Sequence, residues 1–255
     1  MARNPEGRMS LGAHLVEARR RLMISAFAIL VGSVVGYLFS DLVWSSIAAP
    51  LMRIASSSGR IAEINYTSIS EAFDTRISIS LTVGIVLSSP IWLWQIWAFI
   101  TPALVRREKR FALGFLLTAI PLFAAGCAMG WWIFPHVVEI MTGFAPADST
   151  TLLTAKYYLD FCIKFILAIG IGFVLPVFIV LLNFTGVLQA STITKGWRWA
   201  VVGITAFAAI ATPAADIVSM FLLAIPMVLL YLLAGFVSTL HDRRVAKRLA
   251  ANFAS

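Results

Sequence analysis

The chain has 255 residues, 60% of them apolar and only 13% charged, with a mean hydropathy of +0.90. That charge content is about half of the soluble norm, too little polar surface to cover a soluble core of this size. The formal charge of +8 rests on few residues scattered through apolar sequence, which argues against a nucleic-acid-binding surface.

A helix advances about 1.5 Å per residue, so about 20 apolar residues cross the roughly 30 Å hydrocarbon layer. In chain order, apolar stretches predict spans over 22–44, 77–99, 111–134, 157–184, 197–211 and 217–237. They predict an all-α, polytopic membrane protein with six transmembrane helices between a segment 1–21 and a tail 238–255. The first run is longer than a signal-peptide core and lacks a small-residue cleavage site, so it reads as an uncleaved span. The connection 45–76 is long and mixed, with room for a short helix lying across the membrane surface. The connection 135–156 carries the turn signal Ala145-Pro146-Ala147-Asp148-Ser149. Pro90, Pro121, Pro176 and Pro226 fall within spans and predict kinks. Membrane helices tolerate them where neighbours satisfy the freed carbonyls.

The stretch 197–211 is short: at its length a helix reaches only about 22 Å. A re-entrant hairpin over 197–237 is the alternative to two crossings. Against it, 217–237 is long enough to cross alone, and Thr212-Pro213-Ala214-Ala215-Asp216 is a turn brief enough for antiparallel neighbours.

Charge placement sets the orientation. Arg3, Arg8, Arg19, Arg20 and Arg21 precede the first span, and Arg106, Arg107, Lys109 and Arg110 separate the second from the third. Lys195 and Arg198 mark the fourth–fifth junction, and Arg243, Arg244, Lys247 and Arg248 form the tail. These alternate segments hold fifteen of the twenty basic residues but only four acids, Glu6, Glu17, Glu108 and Asp242. Basic residues stay on the cytoplasmic side, so both termini are expected in the cytoplasm of a plasma-membrane protein. Trp44, Trp131 and Trp132 then fall at outer ends, and Trp92, Trp94, Trp97, Trp197 and Trp199 near inner ends, with Trp92 the deepest. Amphipathic rings favour the headgroup level.

Little here suggests an enzyme. There is no HExxH, phosphate-binding loop or nucleophile elbow, and His14, His136 and His241 lie far apart. Cys127 and Cys162 sit in separate apolar runs without metal spacing, so neither a metal nor a cofactor is expected. What stands out are acids within basic segments: Glu17 in HLVEARRRL and Glu108 in VRREKR. One reading is internal: Glu17 pairs with Arg21 in the favourable i,i+4 order, and Glu108 suits the start of a helix. The other is that both carboxylates receive a cationic partner, guanidinium being suited to bidentate contact. Asp160 lies one turn before Lys164 near the start of the fourth span, where an internal pair explains both better than ion transport. Asp216 lies at the fifth–sixth turn, functional or merely capping it.

These blocks together resemble the TatC family, the multi-spanning subunit of the twin-arginine protein translocase. HLVEARRRL is similar to the family's H-L-x-E-L-R-x-R-L, with Ala18 where leucine is common. WQIWAFITPALVRREKR resembles the block through the first cytoplasmic loop, and PLFAAGCAMGWWIFP the third span. IGFVLPVFIVLLN and TPAADIVSMFLLAIPMVLLY are similar to the fourth span and to the last turn and span. The resemblance runs from about Arg8 to Arg244.

The resemblance implies a cup-shaped six-helix scaffold without catalytic activity. It recruits single-span TatA- and TatB-type subunits, self-associates, and recognises paired-arginine signal peptides on folded cargo, using the proton-motive force. By the same resemblance Glu17, Arg19, Phe99 and Glu108 belong to signal-peptide recognition, and Asp216 matches an outer aspartate. Two positions depart from the pattern: Val174 stands where a glutamate is frequent, and Leu232 follows Tyr231 where another is frequent. Gln189 or Thr185 is a candidate substitute for the lost polar anchor; otherwise partner packing here is more apolar. The rival reading, a small-solute or ion transporter, needs a midplane site with convergent polar groups. A detergent pull-down separates them: single-span proteins and paired-arginine precursors support the translocase, and a tightly held solute supports the transporter.

Overall fold

Helix α1 (Leu11–Leu38) starts within the basic segment and continues through the first apolar run. The structure is a computed structural model and describes residues 11–58, 62–100, 109–143, 151–184, 186, 188–211 and 217–253. Among these the chain forms nine α-helices and one pair of short strands. A turn at Phe39 ends α1, and α2 (Ser40–Ser58) restarts with Asp41 in its first turn, where a negative charge favours the helix dipole. The expected span over 22–44 therefore runs through a turn. Its last residues belong to α2, a helix within the connection where a short one was expected.

The second expected span is also two helices. Helices α3 (Glu71–Leu87) and α4 (Ser89–Ile100) meet at a 60° bend around Ser88. Pro90 has no N–H to give and its ring crowds the preceding turn. The Nε1–H of Trp92 donates to the Ile85 carbonyl at 2.9 Å, satisfying a backbone acceptor at the bend. Trp92 thus holds a broken helix together, in addition to any preference of its ring for the interface.

Helix α5 (Lys109–Gly143) covers the third apolar stretch and α6 (Ala155–Phe184) the fourth. The short α7 (Ala190–Lys195) precedes α8 (Trp197–Ala211), and α9 (Ile217–Phe253) carries the last stretch on into the tail. Strands β1 (Ala62–Asn65) and β2 (Thr151–Thr154) pair in parallel, Ala62 opposite Thr151 and Asn65 opposite Thr154. This pair is the exception to an otherwise all-helical fold.

Among the described residues four helices, α1, α5, α6 and α9, are long and apolar enough to cross a membrane, and the number is five if the bent α3–α4 pair is one span. The fifteen-residue α8 is apolar but shorter. Leu22, Phe27, Leu30 and Val34 of α1 are all more than half exposed, an apolar face that only lipid or another helix covers favourably. The chain is a polytopic helical membrane protein.

It divides into two compact units. The first comprises Met1–Leu116 and Trp132–Ile163. Its helices α1 and α3 approach closely because Gly32 and Gly36 face Ser80 and Gly84. A Cβ on Gly36 would lie 2.5 Å from the Ser80 carbonyl oxygen, and one on Gly32 2.9 Å from that of Gly84. Small residues four apart allow such contact where lipid supplies no hydrophobic drive. Ser33 and Ser80 return their hydroxyls to their own helices, at 2.8 Å from the Ile29 carbonyl and 2.6 Å from that of Arg76. Elsewhere in this unit the buried Tyr158 hydroxyl donates to the Ile47 carbonyl at 2.8 Å, tying α6 to α2.

The buried Glu71 ties α3 to the start of α6. Its carboxylate accepts the Lys156 N–H at 3.0 Å and, on the other oxygen, the Thr67 N–H and hydroxyl at 2.5 and 2.7 Å.

The second unit comprises Leu117–Trp131 and Lys164–Ser255. Here Gly126 and Gly130 of α5 bring that helix against Ile166 and Gly170 of α6, a second small-residue seam. Phe123, Phe165, Ile169, Leu223 and Met227 are fully buried within it.

Candidate functional site

Residues His14, Glu17 and Arg21 recur at helical spacing and share one face of α1. Gln95 and Phe99, one turn apart, share a face of α4. The two faces meet. The His14 ring stacks on Phe99 with centroids 4.5 Å apart at 29°. Two turns along, Arg21 Nη2 pairs with Glu17 Oε1 at 2.5 Å, while Arg21 Nη1 donates to Gln95 Oε1 at 3.2 Å. Both partners of the ion pair are about a quarter exposed, 22% for Arg21 and 26% for Glu17. The Arg21 Nε is buried without a hydrogen-bond partner among the described residues.

The arrangement is a guanidinium held in a small polar notch with an aromatic stack at its end. Glu17 supplies a carboxylate within reach of solvent, Gln95 a neutral acceptor, and Phe99 an apolar face shared with His14. A charge-assisted bond of this kind is strong and directional, yet at this exposure it can exchange with a competing cation. Among the described residues no group of three His, Cys, Asp or Glu side chains is arranged to hold a metal.

Of the residues singled out in the sequence, Glu17 and Phe99 stand in this notch, and Arg19 is exposed on another face of α1. Glu108, like Asp216 and Thr185, lies outside the described residues. Asp160 is half-buried and Lys164 exposed, one turn apart on α6, and the ion pairs among the described residues do not include them. Val174 is buried on α6, whereas Leu232 is 52% exposed on α9. Gln189, a candidate substitute for the family's polar anchor, is exposed and accepts the Ser191 hydroxyl at 3.4 Å.

Sequence reasoning missed Gln95 and set His14 aside. The signal for Gln95 was present: it is the single amide in SPIWLWQIWAFI, an otherwise apolar helix. It also passed over a polar cluster in the second unit. There Asp242 of α9 accepts the Ala190 N–H at 2.8 Å and the Asn183 side-chain amide at 3.0 Å, fixing the start of α7. Tyr231 completes the anchorage by donating to the Ile193 carbonyl at 2.7 Å.

The family model described as Sec-independent protein translocase protein (TatC) matches residues 13–226. The protein of that name from Xylanimonas cellulosilytica is 43% identical over 243 residues, 95% of this chain and 88% of the relative. Its counterpart from Magnetococcus marinus is 35% identical over 247 residues, 96% and 90% of the two chains. A crystal structure of the twin arginine translocase receptor TatC superimposes with a TM-score of 0.76 at 33% identity, covering 89% of this chain and 98% of that one. A second, of the same receptor in DDM, gives a TM-score of 0.77 at 32% identity, covering 88% and 99%.

Proposed function

The chain belongs to the TatC family, the membrane-embedded and non-catalytic subunit of the twin-arginine translocase, and on that premise we propose that its notch between α1 and α4 receives the paired arginines of a signal peptide. The observation that carries this reading is that Glu17 already holds a guanidinium, that of Arg21. A signal-peptide arginine then binds by exchange. It takes the Glu17 carboxylate while Arg21 falls back on Gln95, and the peptide's second arginine meets Glu108. Phe99 and His14 pack beside the apolar stretch that follows in the signal. Arg19, with Arg106, Arg107 and Arg110, raises the cost for a peptide that offers one cation or a loose fit.

We read the basic segments as keeping this end in the cytoplasm with both termini. In this reading the chain crosses six times, with the bent α3–α4 pair as the second span and the short α8 as the fifth. TatA- and TatB-type helices pack on the face of α6, α8 and α9. Two apolar hollows support that docking face. One, of about 320 Å³, is lined by Leu175, Pro176, Ile204, Phe207 and Met227; the other, of about 430 Å³, by Trp197, Val201, Val228 and Leu232. With Val174 buried and Leu232 at the second hollow, the contact is apolar where other family members use glutamate. Asp160, Lys164 and Asp216 have no part in recognition in this account.

The test is binding of a paired-arginine signal peptide to the full-length protein in detergent. Hydrogen bonds to charged groups contribute about 1.5–3 kcal/mol, so Glu17→Gln or Glu108→Gln is expected to weaken binding roughly 10- to 150-fold with folding intact. Unchanged affinity in both variants removes the carboxylates from recognition.

A further inference from the structure

At the far end of α1 from the notch, where its apolar run stops, the first unit contains a hollow of about 310 Å³. Tyr37, Asp41, Trp44, Tyr66, Thr75 and Arg76 line it. By volume it holds roughly ten water molecules, enough for a small polar group but not for a helix. Three features of its walls point to one kind of ligand.

The first is paired charge. Arg76 forms an ion pair with Asp41, and its guanidinium lies 5.5 Å from the Tyr37 ring centroid. The Asp41 side chain is 83% exposed and that of Arg76 41%, so each retains bonding capacity toward the hollow. Asp74, beside them, pairs at 3.9 Å with Lys156, and Glu71 is consumed by backbone amides.

The second is an unpartnered polar atom. Thr75 is 4% exposed, and its Oγ1 has no hydrogen-bond partner among the described residues. Helical hydroxyls normally return to a carbonyl of the preceding turn, as Ser80 and Thr82 of the same helix do at 2.6 and 2.7 Å. A buried hydroxyl without a partner is uncommon and calls for an explanation.

The third is the rim. Leu38, Phe39, Leu42 and Phe73 are each more than half exposed around this end of α1 and α3. Trp44 and Tyr66 stand over the hollow with ring centroids 6.3 Å apart. Aromatic rings above an apolar rim mark the headgroup level of a bilayer.

We propose that this hollow binds the zwitterionic headgroup of a phospholipid, its phosphate on Arg76 and the Thr75 hydroxyl and its ammonium against Asp41 and the faces of Tyr37 and Trp44. An ammonium over aromatic faces gains cation–π attraction, and Asp41 adds a carboxylate to it. A purely anionic headgroup satisfies Arg76 but leaves Asp41 facing a like charge. The acyl chains lie along the exposed apolar rim, so the ligand is a lipid rather than a soluble phosphate. The site does not depend on the signal-peptide reading.

Native mass spectrometry of the delipidated full-length protein tests this. Equal concentrations of phosphatidylethanolamine and phosphatidylglycerol are added, with inorganic phosphate and free phosphoethanolamine as competitors. The expected result is at least fivefold greater retention of phosphatidylethanolamine, little competition from either soluble compound, parity of the two lipids in Asp41→Asn, and several-fold weaker retention in Thr75→Val. Equal retention by the unmodified protein, preference for the anionic lipid, or displacement by inorganic phosphate overturns the proposal. So does a Thr75→Val variant that retains the zwitterionic lipid as before. Should Asp41→Asn fail to fold, the lipid ratio of the unmodified protein and Thr75→Val still decide.

Discussion

In the proposed recognition, Arg21 occupies the position that a signal-peptide arginine takes, and the exchange between them sets both affinity and selectivity. The pair it forms with Glu17 is partly solvated, and ion pairs of that kind contribute about 0.2–1 kcal/mol. Arg21→Gln is therefore expected to raise peptide affinity by up to about fivefold. It should also narrow the preference for paired-arginine over paired-lysine signals, because a weak cation no longer has a competitor to displace. Titration of both peptides against both proteins reads this out, and weaker binding of the paired-arginine peptide would mean that Arg21 positions Glu17 rather than competing for it. The residue scale is also where the sequence was least sufficient. The i,i+4 relation of Glu17 and Arg21 is visible in HLVEARRRL, but the contact of Arg21 with Gln95 joins residues 74 apart and depends on how α1 meets α4.

Helix positions follow from hydropathy because the apolar runs are long and bounded by charge. α8 coincides with its apolar stretch, and α5, α6 and α9 contain theirs. What hydropathy does not register are the breaks. Phe39 and Ser88 interrupt runs that remain apolar on both sides, and only Ser88-Ser89-Pro90 carries a breaker. The tail of α9 extends beyond its apolar part because the HDRRVAKRLAANF stretch consists mostly of residues compatible with helix in water. The strand pair escaped notice because each strand is four residues long and its partner lies on a distant connection. Seams, by contrast, were there to be read as Gly32/Gly36 and Gly126/Gly130, both with small-xxx-small spacing. Gly36→Ala is expected to cost about 1–3 kcal/mol, since its Cβ meets backbone that cannot give way. Gly203→Ala on α8 meets nothing within 4 Å and should be neutral or stabilising by up to about 1 kcal/mol. Thermal unfolding of the two variants in one detergent makes the comparison, and equal loss in both would refute the seam.

At the scale of the whole molecule, the first unit is closed at one end by Glu71, which links the start of α3 to the start of α6. Glu71→Gln leaves two backbone N–H groups with a weaker acceptor, so the unfolding midpoint should fall by the equivalent of about 1–3 kcal/mol. An unchanged midpoint in that variant would show that the link carries no stability. The chain's apolar exterior, its long apolar helices and its family membership agree on a polytopic membrane subunit of the translocase. The central claim, that Glu17 trades its own arginine for the signal's, is tested most directly by a photo-crosslinker placed at residue 98, beside Phe99 and one turn from Gln95, in membranes. The account predicts a crosslink to a paired-arginine precursor that disappears with Glu17→Gln and strengthens with Arg21→Gln. A crosslink indifferent to both substitutions would contradict it.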